Sequence, residues 1–134
     1  MKAFRAAVEA GDFAALGDLL AEDVVFRSPV AFKPYEGRAI VSAILRGVGR
    51  VFSDFRYVRE LTDDDQGGSA LVFETVVDGV SVNGIDLIRV NEAGLISELT
   101  VMVRPLSGAN ALAEAMGKQF PQIQEEAIAA MAGE

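Results

Sequence analysis

The sequence contains no cysteine and no histidine. Without cysteine there is no disulfide, no thiolate nucleophile and no thiolate metal site. Without histidine the usual general base at neutral pH and the commonest metal ligand are both missing. A Ser-His-Asp triad is therefore ruled out. The Gly-x-Ser-x-Gly elbow, the Gly-x4-Gly-Lys-Ser/Thr phosphate loop and the Gly-x-Gly-x-x-Gly fingerprint do not occur either. No apolar run approaches the roughly 18 residues that cross a bilayer. The opening stretch MKAFRAAVEAGDF is interrupted by Arg5, Glu9 and Asp12, so it does not read as a secretory signal, and a cytoplasmic setting is expected. Basic residues are few: 12 Lys and Arg stand against 20 acids, a net charge of −8. That balance opposes nucleic-acid phosphate and anionic lipid, so neither partner is expected. No metal and no cofactor is expected. Proton chemistry falls to carboxylates, tyrosine (Tyr35, Tyr57), lysine or bound water.

What is present suits one domain. The 134 residues are 51% hydrophobic, enough to fill a core and to line a cavity. Residues 2–10 carry Phe4, Ala7 and Val8 at helical spacing, and Gly11 breaks the helix. Asp12 is an N-cap for a second helix over 13–21. VVFRS (24–28) reads as a short strand and PVAFKPYEG as a loop. Residues 37–52 form the main helix, with Ile40, Ile44, Leu45, Val48 and Val51 on one side. FRYVREL (55–61) alternates, with Phe55 and Tyr57 on one face. Three long strands follow, at about 69–77, 80–90 and 95–105, with Asp78-Gly79 as a hairpin signal. After Pro105 the chain turns helical, in two pieces separated by Pro121. Helices followed by a run of antiparallel strands mean α+β. The expected form is a cone: a curved, mostly antiparallel sheet wrapped around the N-terminal helices. Its interior is apolar and suited to a small ligand. The expected division is a cone domain over 1–106 and a helical extension over 107–134, packed on the same domain or on a partner subunit.

One residue interrupts the apolar pattern. In GIDLIRV (84–90), counting by twos puts Val82, Asp86, Ile88 and Val90 on one face and Ile85, Leu87 and Arg89 on the other. Asp86 therefore shares its face with aliphatics. An ionised carboxylate there is costly unless it is paired, hydrogen-bonded or protonated. Either it is a pocket acid that meets a ligand, or it pairs with Arg27 or Arg104 or is satisfied by amides at Asn83-Gly84.

The order of elements carries a resemblance. AAVEAGDFAALGDLLAEDVVFRSPV, then YEGRAIVSAIL, then GIDLIRVNEAGLISELTVMV, resemble the nuclear-transport-factor-2-like superfamily over roughly residues 2–105. The SnoaL-like and ketosteroid-isomerase-like branches are closest. The resemblance implies the cone-shaped fold, a homodimer through the sheet face, and isomerase, cyclase, hydrolase or purely binding roles. In ketosteroid isomerase a protonated aspartic acid in an apolar site donates to the substrate oxyanion. By resemblance Asp86 takes that position. The tyrosine that partners it falls on Phe4, and the aspartate that acts as base falls on Ser28. Phenylalanine cannot donate, and serine without histidine is not a base at neutral pH. The acid of the epoxide-hydrolase branch falls near Val101.

The candidate ligand contacts are Phe4, Phe26, Ser28, Tyr35, Phe52, Phe73, Asp86, Ile88 and Met102, with Asp86 also the candidate catalytic group. Glu74, in an apolar strand, is expected to pair with Arg89 or Arg104. Asp63, Asp64 and Asp65 lack the spacing of a calcium loop and read as a solvated hairpin tip. The tail, with Leu112, Met116, Phe120, Ile123, Ile128 and Met131, carries an apolar stripe that serves as a lid or as packing. Three readings follow: a protein that binds a small, mostly apolar molecule with Asp86 as polar anchor; an isomerase or cyclase working on a carbonyl or polyketide-like substrate; or a dimeric interaction module with a vestigial pocket.

Overall fold

In a computed structural model, which describes residues 2–133, the chain opens with α1 (Lys2–Glu9) and a 3-10 helix (Phe13–Leu19). Asp12 caps the latter by accepting from the Ala15 amide at 3.2 Å. β1 (Leu20–Arg27) follows, then the two-residue β2 (Tyr35–Glu36) and α2 (Arg38–Val51). β3 (Ser53–Asp63), β4 (Gly68–Val77), β5 (Val80–Val90) and β6 (Ile96–Arg104) form a meander, and α3 (Leu106–Ala132) ends the chain. The strand order is β2-β1-β6-β5-β4-β3, with β1 and β6 parallel and every other pair antiparallel. The α+β architecture and the curved sheet match expectation. Register shifts lie in β1, at two places in β3, and between Arg89 and Val90 in β5; such irregularities bend a strand and deepen its twist.

The strand boundaries differ from the sequence reading in an instructive way. β1 begins at Leu20 rather than Val24, so the second helix shrinks to one 3-10 segment. Leu20, Val24 and Phe26 are buried, and the ladder hydrogen bonds to β6 outweigh the helical propensity of LLAED. Tyr35 and Glu36, expected in a loop, add a short edge strand to β1.

α3 is one helix through Pro121. Proline has no N–H, so the Gly117 carbonyl loses its helical donor. Packing on both sides offsets that loss. Leu112, Ala115 and Met116 are buried before it, and Ile123 and Ala127 after it. A Cβ at Gly47 of α2 would overlap the side chain of Ile123, so this glycine lets α2 and α3 approach closely. Arg46 and Arg50 of α2 then grip Glu126 at 2.8 and 3.0 Å, and Arg50 reaches Gln119 at 2.6 Å. Within the single chain α3 therefore lies against α2. No helix among the described residues is long and apolar enough to cross a membrane.

The two faces of the sheet separate cleanly. On β5 the inward residues Val82, Gly84, Asp86 and Ile88 are buried, whereas Ser81, Leu87 and Arg89 are exposed. The β4–β5 register is continuous from Gly68–Arg89 to Val77–Val80, so the inward placement of Asp86 holds. On the convex side Glu74 pairs with Arg56 rather than with Arg89 or Arg104, because β3 supplies the directly opposite residue. Arg104 instead donates to Asn83.

Candidate functional site

The concave face and the helices enclose a cavity of about 80 Å³. α1 contributes Phe4 and Val8, and the 3-10 helix contributes Phe13 and Leu16. Phe26, Ser28 and Tyr35 close the β1–β2 side. α2 and its C-cap give Ile44, Val48 and Phe52, while β3 gives Phe55 and Tyr57. From α3 come Leu112, Met116 and Phe120, spaced four apart on one helical face. Phe120 packs on Tyr35 with ring centroids 5.7 Å apart, and Tyr35 on Phe26 at 6.4 Å. Among the described residues Asp86 is the one lining residue that carries an ionisable carboxyl, and no Lys or Arg lines the space.

Asp86 is not alone. The Tyr57 hydroxyl donates to its Oδ2 at 3.1 Å, and both residues are buried. Burial pushes the Asp86 carboxyl up to about 7, and the bond from Tyr57 lowers it in part. The Tyr57 hydroxyl is itself pushed well above its ordinary value by burial, then by the Asp86 charge and the bond between them. It stays protonated and remains a donor. Arg5 lies over the Tyr57 ring at 5.5 Å, tied to Glu9 and Glu60 at 3.0 Å each. That web anchors α1 to β3 and steadies the ring.

Tyr57 is the site residue that sequence reasoning missed as a partner for Asp86. The tyrosine expected on α1 is Phe4, and β3 supplies a hydroxyl from another direction. Two signals pointed to it. The alternation of FRYVREL turns Phe55 and Tyr57 to one face, and a buried tyrosine needs a hydrogen-bond partner. Neither Arg27 nor Arg104 reaches Asp86; Arg27 pairs loosely with Glu98 at 3.9 Å.

Of the candidate ligand contacts, Phe4, Phe26, Ser28, Tyr35, Phe52 and Asp86 line the cavity. Phe73 and Ile88 are buried in the core but stand behind the lining. Phe73 is roofed by Phe52 and Phe55 at 5.8 and 5.1 Å. Met102 is corrected: it is 54% exposed on the convex face. Val90 pairs with Ile96, and carrying that register down an unbroken ladder would set Met102 opposite Gly84 on the inner face. The shift between Arg89 and Val90 moves the pairing by one residue, so Val101 faces Asp86 and Met102 turns outward. Ser28 Oγ accepts from the Val30 amide at 3.1 Å and keeps its own proton free. Asp63 caps its hairpin through the Gln66 amide at 3.2 Å. Among the described residues no three carboxylates gather as metal ligands.

The α+β cone is a nuclear-transport-factor-2-like fold. The chain belongs to the SnoaL-like domain family, which it matches over residues 1–99. Its fold is similar to that of a steroid delta-isomerase from Pseudomonas aeruginosa, with 40% identity, 92% of this chain and 90% of that one covered, and a TM-score of 0.87. It is also similar to an uncharacterised bacterial protein of cystatin-like fold from Silicibacter pomeroyi, at 38% identity, 91% and 89% coverage and a TM-score of 0.80. The epoxide hydrolase/cyclase-like enzyme SalBIII of salinomycin pyran-ring formation shares the fold at 17% identity, 78% and 88% coverage and a TM-score of 0.66. No curated protein matches the chain by sequence.

Proposed function

We propose that this protein binds a small, mostly apolar molecule bearing one oxygen, such as a ketone, in the interior cavity, with Asp86 as the polar anchor. The observation that carries the reading is the Tyr57–Asp86 pair set in a lining otherwise almost wholly apolar and aromatic. Protonated Asp86 donates to the ligand oxygen, while Tyr57 holds the carboxyl in place. The space of about 80 Å³ is small beside ordinary ligand pockets, which points to a compact ligand. The test is an NMR titration with cyclohexanone. Binding that shifts resonances of Tyr57 and its neighbours, and that Asp86→Leu weakens about tenfold, the worth of one hydrogen bond to a ligand, is the expected result. A cavity that takes up no probe sinks the reading.

A second reading is an isomerase or cyclase, in which Asp86 exchanges a proton with a carbonyl or polyketide-like substrate. It is favoured by a carboxyl titrating at about 7, close to the working range of a general acid–base. The likeness at 40% identity to a protein described as a steroid delta-isomerase also supports it. A two-group mechanism is not supported, because by resemblance Ser28 stands at the base position and among the described residues no second carboxyl lines the cavity. Asp86 would take and return the proton itself. Deuterium exchange next to the carbonyl of a bound ketone tests this; exchange that persists in Asp86→Asn rules it out.

We also propose that two copies pair through the convex sheet face. Val72, Ile85 and Met102 form an apolar row across β4, β5 and β6, and Ala70 and Leu87 lie in the next row. Leu87 and Met102 are exposed in the single chain.

A further inference from the structure

The polar pair in the cavity has a second carboxyl oxygen, which donates in the ketone reading and becomes an acceptor once Asp86 ionises. Oδ2 of Asp86 carries the bond from Tyr57. Oδ1 receives no hydrogen bond among the described residues. Since no enclosed side-chain oxygen lacks a partner, Oδ1 opens onto the cavity. When Asp86 ionises, this carboxylate is 8% exposed, surrounded by rings and aliphatics, and among the described residues has no cation beside it. Arg5 is beyond the Tyr57 ring and is neutralised by Glu9 and Glu60. A buried anion held by one hydroxyl and without a counter-ion, inside an aromatic wall, is the complement of a cation with an apolar body.

We propose that the same cavity takes a small tertiary amine in its protonated form, with its single N–H directed to Asp86 Oδ1 and its alkyl groups against Phe4, Phe52 and Phe55. The number of donors selects the class. A primary ammonium brings three N–H groups into a lining whose other side-chain acceptors are only the hydroxyls of Ser28, Tyr35 and Tyr57, and each N–H left unmet carries a cost. A tertiary ammonium brings one. The aromatic rings stabilise the cation on its remaining sides. The net charge of −8 draws cations to the protein from solution. The small volume, about 80 Å³, favours a compact amine. The inference rests on the cavity admitting a ligand, as the proposed function does, but it requires the opposite protonation state of Asp86.

That opposition sets the sign of the pH dependence. The ketone binds the protonated acid, so its affinity falls as pH rises through about 7. The amine binds the carboxylate, so its affinity rises over the same interval while the amine itself stays charged. The groups facing Asp86 do not reverse this. Tyr57 from β3 stays protonated, Leu71 of β4 and Val101 of β6 are apolar, and α2 and α3 present only apolar side chains to the cavity. Arg5 of α1 is engaged by Glu9 of α1 and Glu60 of β3, a cluster with a net charge of −1 that adds no cation toward Asp86.

The experiment measures N-methylpiperidine and cyclohexanone side by side, by NMR titration at about pH 5.5 and about pH 8.5. The amine is expected to bind ~30-fold more tightly at the higher pH, the ratio of ionised carboxyl for a group titrating at about 7. Asp86→Asn is expected to abolish that binding and to keep the ketone, since an amide still donates. Should Asp86→Asn fail to fold, the wild-type pH profiles of the two probes decide alone. An amine that binds equally at both pH values, or equally to Asp86→Asn, overturns the inference. Ketone binding with no amine binding overturns it and leaves the proposed function standing. Failure of both probes removes the two together.

Discussion

A carboxyl set between Leu71 and Val101 on the inner face loses most of its hydration, and the single bond from Tyr57 returns only part of it. Its titration therefore records a stability cost with a definite sign. The folded group takes its proton at about 7, against 3.8 in the open chain. Between those values the folded state holds more protons than the unfolded one, so stability falls as pH rises. The loss begins near the unfolded value and is complete above the folded one, on the order of 4 kcal/mol. Asp86→Asn removes this titration. Urea unfolding should find the variant several kcal/mol more stable than wild type at about pH 8.5 and nearly equal to it at about pH 4. A difference that does not change with pH would show that Asp86 is not buried as described. Tyr57→Phe acts the other way on the same group. It deletes the bond that lowers the Asp86 value, so the carboxyl should titrate still higher, which carbon-detected NMR of the carboxyl carbon measures directly.

At the scale of elements, the periodicities that were clear in the sequence became the elements that bury residues on one side. The main helix, expected over 37–52, is α2 at Arg38–Val51, and the two strands around Asp78-Gly79 are β4 and β5 within a residue or so. Short-range signals also placed Asp86 inward, because β5 keeps its register over ten pairs with β4. What pattern could not supply were contacts made by non-local choices. Tyr57 meets Asp86 across β4, and Met102 turns outward through one bulge that no propensity marks. Gly84 illustrates the same non-local logic. A Cβ there would collide with the ring of Phe73 and come within 2.9 Å of the Met102 carbonyl. Gly84→Ala should cost about 1–3 kcal/mol through overpacking, read as a lower urea midpoint at unchanged slope. The docking of α3 depends on charge as well as packing. The Arg46 bond, with smaller help from Arg50, holds the Glu126 carboxyl below its usual range. Its contribution is thus present above the ordinary carboxylate value and lost as pH falls through the folded one. Glu126→Gln should cost about 1 kcal/mol near neutral pH and progressively less as the pH falls into the acid range, the worth of a part-exposed ion-pair network.

For the whole molecule the decisive quantities are one apolar face and one net charge. On the convex side the row Arg59, Val72, Ile85, Met102 runs across β3 to β6, beside the row Leu61, Ala70, Leu87, Thr100. Arg56, Glu74, Asn83 and Arg104 bound these rows at one end, and Arg89 and Glu98 at the other. A stable pair of chains buries about 800 Å² on each partner, with an apolar centre and a polar rim. Met102, 54% exposed in the single chain, and Leu87, 38% exposed, lie within that centre. Against this attraction stands the repulsion of two chains that each carry −8. The two terms respond differently to salt. Apolar burial changes little, while repulsion between surface charges is screened over about 10 Å at 0.1 M ionic strength. The pair should therefore tighten when sodium chloride rises from about 0.02 M to about 0.5 M, in contrast to an interface held by ion pairs. Sedimentation velocity across a dilution series measures both the association and its salt dependence. Met102→Glu places a carboxylate at the centre of the face and should weaken association at least about tenfold, because an unpaired charge would be buried there. The variant should still bind cyclohexanone as wild type does, since Met102 does not line the cavity. A wild-type chain that stays monomeric up to about 100 μM, a free energy near 5 to 6 kcal/mol, would leave this face without a second copy as its partner.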